Sequence, residues 1–191
     1  MKLSEEFAKV ITQAERATVR FFDGLEIDGY RMPDGEFRVG LEGVSSAVGF
    51  TKDWLPQAFR RDGKTLKALQ GIGFTALQLE VSIGRSGRAG ASKVKTISLN
   101  DFSLVIVYAA SKGKKEALAL QSSLTIMALG DFFRDAFGET PLTIDEKRRI
   151  FYESYAATIS PENWRAMDKE EILALAFPGD EPHLAWGMWN Q

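Results

Sequence analysis

The residues best equipped to bind a ligand lie in one stretch, GLEGVSSAVGFTKDWLPQAFRR (Gly40–Arg61), and in the basic run behind it. Thr51, Lys52, Gln57, Arg60 and Arg61 are polar or cationic groups able to contact the phosphates and base edges of a nucleic acid. The other residues of the stretch say how those side chains would be held. Val44, Ser45, Val48, Gly49, Phe50, Leu55 and Ala58 fall where a helix-turn-helix places its internal apolar and small residues. Ser45 is small enough to let two helices approach, and Gly49 can take the positive backbone angle of the turn. The second helix, 51–61, would then enter a major groove, with Lys52, Gln57, Arg60 and Arg61 reading it. Ordinary core helix pairs share this spacing, so the neighbourhood has to carry part of the argument.

Charge supplies that neighbourhood. The chain as a whole has a net charge of −2, which argues against a general coat for polyanions. Residues 1–59 carry 7 basic and 10 acidic groups, residues 60–95 carry 8 and 2, and residues 96–191 carry 9 and 14. The basic excess therefore directly follows the candidate helix, the footprint expected of a nucleic-acid site. Lys64, Lys67, Arg85, Arg88, Lys93 and Lys95 are the expected phosphate contacts. FTALQLEVSI (74–83) and VKTISL (94–99) alternate as strands do, and GRSGRAGASK joins them. Two strands with a basic tip after a helical pair outline a wing, with Arg85, Arg88 and Lys93 at its end. GRSGRAG does not read as a nucleotide loop, since it lacks the terminal Lys-Ser/Thr and leads into a strand. GIGFTA (71–76) fails as a dinucleotide fingerprint for the same reason.

The remaining elements follow from periodicity. Ser4-Glu5-Glu6 and the spacing of Phe7, Val10, Ile11, Ala14 and Ala17 predict an amphipathic helix over 4–20. Runs 25–31 and 36–39 flank Pro33-Asp34-Gly35 and predict a β-hairpin. KTLKALQ starts a short helix, Asn100-Asp101 caps another over 101–111, and Gly113 separates it from a long one, 114–138. That long helix is apolar on more than one face, which suits a core helix or a core helix that also pairs with a second copy. From Glu139 onward the chain has 10 acidic and 5 basic groups and three further short helices. It ends in a tail whose Trp186, Met188 and Trp189 either fold back or bind a partner. The expected class is α+β: a β-hairpin plus helix-turn-helix with a two-stranded wing, then a mainly helical carboxy-terminal part. The divisions are 1–24 (amino-terminal helix), 25–99 (winged module), 100–138 (core or dimer helices) and 139–191 (helical extension and tail).

Catalytic chemistry finds little support. The one histidine, His183, stands in an acidic, proline-flanked segment, and there is no cysteine. The carboxylate pairs Asp131/Asp135 and Asp168/Glu171 lie at helical spacing and read as solvated faces. The expectation is a non-enzyme with no metal and no cofactor. The amino terminus lacks the apolar core of a signal peptide and no run is long enough to span a bilayer, which suits the cytoplasm.

IDGYRMPDGEFRVGLEGVSSAVGF, the basic strand-loop-strand, ISLNDFSLVIVYAASKGKKEALAL and LGDFFRDAFG together resemble the phage antirepressor-like proteins of the BRO amino-terminal type, in their short cyanobacterial form. The likeness covers about residues 25–138 and rests on the Asp28-Gly29-Tyr30 hairpin, the helical pair at 41–61 and the Lys112-Gly113-Lys114 turn. It implies a DNA-binding module with a transcriptional or antirepressor role. The carboxy-terminal part departs from that pattern. The leading expectation is therefore a homodimeric regulator that binds double-stranded DNA. Its rival is an adaptor that binds another regulator through the acidic carboxy-terminal part and never contacts DNA. A structural protein self-assembling through helix 114–137 is the weaker third.

Overall fold

The computed structural model describes residues 12–83 and 92–160. In chain order these form β1 (Thr12–Gln13), β2 (Glu15–Phe22), β3 (Leu25–Arg31), β4 (Phe37–Gly40), α1 (Leu41–Ala47), α2 (Trp54–Arg61) and α3 (Lys64–Gly71). They continue as β5 (Leu79–Ile83), β6 (Ser92–Ser98), α4 (Leu99–Ser111), α5 (Lys115–Ala136) and α6 (Ile144–Ile159). The class is α+β, a curled six-stranded sheet with six helices among the described residues.

Strand order across the sheet is β1-β5-β6-β4-β3-β2. β1 pairs parallel with β5, and every other pairing is antiparallel. Only Ala14 separates β1 from β2, so both outer edges of the sheet belong to one run of chain. Its N–H donates to the Ser82 carbonyl at 3.1 Å, continuing the β1–β5 pairing. The sheet is thus curled, with its two outermost strands joined through Ala14.

Alternation along each strand divides the side chains between two faces. Ile27, Val39 and Ile97 join the main core with Val44 and Val48 of the α1 region, Leu55 of α2, Leu69 of α3, Val105 of α4 and Leu120 of α5. Ala14, Tyr30, Met32 and Val81 form a smaller cluster inside the curl. Arg38 of β4 is buried in that neighbourhood, only 5% exposed. Its Nε donates to Thr96 Oγ1 (3.0 Å), Nη1 to Glu36 (2.8 Å), and Nη2 to the carbonyls of Leu77 (3.1 Å) and Thr96 (3.4 Å). One side chain therefore ties β4 to β6 and to the segment entering β5.

Three expectations from sequence need correction. Residues 12–22, taken as part of a helix over 4–20, form β1 and β2; residues 1–11 lie outside the described range. The run ATVRFF is rich in β-branched and aromatic residues. Its charged side chains find cross-strand partners in Arg16–Asp28, Arg20–Glu26 and Glu15–Arg31, which a helix would not supply. Residues 74–78 do not extend the strand toward Phe74, because Thr75 donates its N–H and its hydroxyl to the buried Asp101 carboxylate at 2.8 and 2.7 Å. Helix α4 begins at Leu99, capped by Ser98 Oγ, which accepts the Asp101 N–H. Asp101 is thereby released from capping to hold that loop.

Helix α6 starts with a capping box: Thr143 Oγ1 accepts the Glu146 N–H, and Glu146 accepts the Thr143 N–H. The bonds from Thr143 hold the Glu146 carboxyl below its ordinary value. A depressed carboxyl stabilises the fold above its unfolded pKa of about 4.3, and that contribution disappears as pH falls through the folded value. The Thr143 amide resonance should accordingly move on acidification below about pH 4.3; in Glu146→Ala the movement should vanish. For Arg38, truncation to Ala strands the Leu77 and Thr96 carbonyls. Arg38→Ala should lower unfolding stability by about 2–4 kcal/mol in urea titrations. Arg38→Lys should recover little of it, because an ammonium cannot fork to four acceptors.

Candidate nucleic-acid interface

The polypeptide passes from β4 straight into α1 at Gly40, whose extended backbone forms the junction. After α1, Phe50 N–H returns to the Ser45 carbonyl (3.0 Å) and Gly49 takes φ +79°. Ser45, fully buried, does more than stay small. Its hydroxyl donates to the Leu41 carbonyl (2.9 Å) and accepts the Leu55 N–H (3.2 Å), stitching the start of α2 onto α1. Pro56 is tolerated inside α2 because it sits in the first turn, where backbone N–H groups have no intrahelical acceptor. Leu55 and Ala58 are buried and seat the helix, and Asp62 ends it in a left-handed conformation (φ 43°).

The side chains singled out from sequence take distinct positions on this scaffold. Lys52 is exposed in the turn before α2, Arg60 and Arg61 are exposed in its last turn, and Gln57 between them is half-buried. Lys64 and Lys67 are exposed on α3. Lys93 and Lys95 are exposed on β6, on the same side of the strand as the core residue Ile97. β6 is flanked by β5 and β4, so the β5–β6 pair is an inner part of the sheet along much of its length and not a free ribbon. Arg85 and Arg88 lie outside the described residues, as do Trp186, Met188, Trp189 and His183.

Ion pairing sorts the cations. Arg16, Arg20 and Arg31 on β2 and β3 each meet a carboxylate, and so do Lys147, Arg148 and Arg149 on α6. Lys93 pairs with Glu80 at 3.4 Å, and Lys95 stands opposite Glu80 in the strand register. Among the described residues, Lys52, Arg60, Arg61, Lys64 and Lys67 have no ion-pair partner. Their charge is available to an outside anion.

A second group of cations went unread in the sequence as part of this surface. Phe50 stacks on Trp54 with ring centroids 4.0 Å apart, and Trp54 stacks on Tyr108 at 6.0 Å. Lys114 Nζ lies 4.5 Å from the Phe50 ring centre and Lys112 Nζ lies 5.5 Å from that of Tyr108. The turn between α4 and α5 is therefore docked beside the beginning of α2, adding two lysines near Lys52. Its glycine, Gly113, takes φ +74°. The KGK turn was visible in the sequence, but its neighbour Phe50 is more than 60 residues upstream.

Among the described residues there is no group of three His, Cys, Asp or Glu side chains placed to hold a metal ion, and no helix long and apolar enough to cross a membrane. No family model, curated protein or solved structure matches the chain. Unpaired cations on α2, α3 and the KGK turn give this part of the described surface its positive charge.

The geometry of the helical pair depends on Ser45. Replacing it with Ala leaves the buried Leu55 N–H without an acceptor and should cost about 1–3 kcal/mol in urea unfolding. Ser46→Ala, which removes only an exposed bond to the Glu42 carbonyl, should stay within about 0.5 kcal/mol of the parent.

Proposed function

We propose that the chain is a DNA-binding regulator that uses the α1–α2 pair and its flanks against duplex DNA. The observation that carries this reading is the segregation of charge. Cations on β2, β3 and α6 are neutralised by neighbouring carboxylates, whereas Lys52, Arg60, Arg61, Lys64 and Lys67 around the helical pair, and Lys112, Lys114 and Lys115 at the α4–α5 turn, form no ion pair among the described residues. Free cations release condensed counterions from a phosphate backbone, and neutralised ones do so far less. Arg60 and Arg61 read or clamp from the end of α2, Lys52, Lys112 and Lys114 approach from its beginning, and Lys64 and Lys67 contact the backbone. Arg85, Arg88 and Lys95 belong to the same proposal as a flank, to which Lys93, paired with Glu80, adds less. The resemblance to BRO-type antirepressors supports a regulatory output in this chain.

A second reading, an adaptor that binds another regulator, is favoured by an open cleft of about 610 Å³ between β2–β4 and α4, rimmed by the exposed Val19, Phe37, Leu99 and Leu124. Salt dependence separates the two. Fluorescence anisotropy with a labelled duplex pool between 50 and 200 mM salt should show log K falling linearly with log salt for the wild type. In Arg60→Ala/Arg61→Ala the slope should shrink by about 1–2 units. Arg148→Ala/Arg149→Ala, which removes paired cations, should leave it unchanged. No duplex binding at the low-salt end would leave the adaptor reading standing.

A further inference from the structure

Helix α5 buries one side over its first half and exposes an apolar arc over its carboxy-terminal part. Ala117, Ala119, Leu120 and Ser123 are buried, and Met127 packs against the main core. At 100° per residue, the opposite arc of its carboxy-terminal two-thirds holds Ser122, Thr125, Ile126, Ala128, Leu129, Phe132, Phe133, Ala136 and Phe137. No charged residue interrupts that arc, which runs about 22 Å along the helix. Phe132, Phe133 and Phe137 are 75%, 63% and 78% exposed, with Leu129 at 53% and Ile126 at 47%. Taking about 200 Å² for a phenylalanine, the three rings alone leave roughly 430 Å² in water. A single soluble monomer rarely presents an apolar patch beyond about 300–600 Å², and the two aliphatic side chains extend this one further.

We infer that this face of α5 pairs with the same face of a second copy of the chain, antiparallel, about a two-fold axis at Leu129. The helix is self-complementary in that register. Leu129 meets its own copy, Ile126 faces Phe132, Thr125 faces Phe133, and Ser122 faces Ala136. Large side chains of one helix thus lie over small or aliphatic ones of the other, as an isologous interface requires. Because the arc has no charge, the antiparallel approach brings no like charges together. With its flanks covered, the patch approaches the ~800 Å² per partner that a standard interface buries.

α6 packs on α5, with Lys147 bonded to Asp131 at 2.7 Å. It covers a different side of α5 from the phenylalanine arc, so that arc stays open among the described residues.

The absence of native cysteine makes the test clean. In the full chain, Leu129→Cys should oxidise to a covalent dimer at low micromolar concentration, while Gln70→Cys on the exposed side of α3 should not. Sedimentation velocity should show a wild-type dimer, and Phe133→Glu should weaken it by roughly 30-fold or more with its circular dichroism and melting temperature retained. A wild type that stays monomeric up to about 100 μM, well above the affinity a standard interface gives, overturns the proposal. So does a chain ending at Ser160 that dimerises where the full chain does not, since residues 161–191 would then be the occupant. A dimer that neither crosslinks at Leu129 nor responds to Phe133→Glu places the interface elsewhere and likewise overturns it.

Discussion

A guanidinium kept out of water governs how this sheet can curl. Arg38 has four acceptors around it, from Glu36, Leu77 and Thr96, and almost no solvent. An arginine cannot shed its charge, so every strand that packs around it must bring an oxygen. β4, β6 and the segment leading into β5 are thereby held at mutual distances that hydrogen-bond geometry dictates. Thr96 extends the network by donating its hydroxyl to the Leu79 carbonyl at 3.1 Å. Ala14 then joins the two outermost strands of the curled band.

That band serves as a platform. Its helix-facing side offers Ile27, Val39 and Ile97, against which the helices assemble one continuous core. The helical pair is reached directly from β4, with no linker, so its orientation is inherited from the sheet. Side-chain hydroxyls and carboxylates finish the positioning: Ser45 joins α1 to α2, and Asp101 holds the loop before β5 to the first turn of α4. In each case a buried polar group is fully satisfied, which favours one arrangement over slipped alternatives.

Periodicity made some of this legible. The long apolar run of α5 and the glycine break at Gly113 were visible because a helical repeat sustained over 22 residues has few competitors. The strand at 15–22 was hidden because Ala14 and Ala17 fit a helical spacing while Ala17, Val19 and Phe21 equally fit alternation against Arg16, Thr18 and Arg20. Local pattern cannot choose between the two; pairing with β3 does. Partners distant in sequence were invisible for a related reason. Arg38 and Thr96 are 58 residues apart and Thr75 and Asp101 are 26 apart, and nothing in either neighbourhood names the other. At the candidate site, residue type was readable but pairing was not: Lys93 and Lys64 look alike in sequence, and only the fold puts Glu80 beside the first.

Gly49 has a mechanical meaning beyond its turn. A Cβ there would run into the Glu116 carboxylate, so a side chain of the first turn of α5 lies directly over the turn of the helical pair. A helix of 22 residues is a rod of about 33 Å. One end of that rod lies at that turn, and the other carries the phenylalanines. The separation between them is set by a stiff element of counted length, with no slack to absorb error. Each residue inserted into the rod would advance its far end by about 1.5 Å and swing it by about 100°. The molecule behaves as a ruler whose gradations are helical residues, and phase as well as length is written into it.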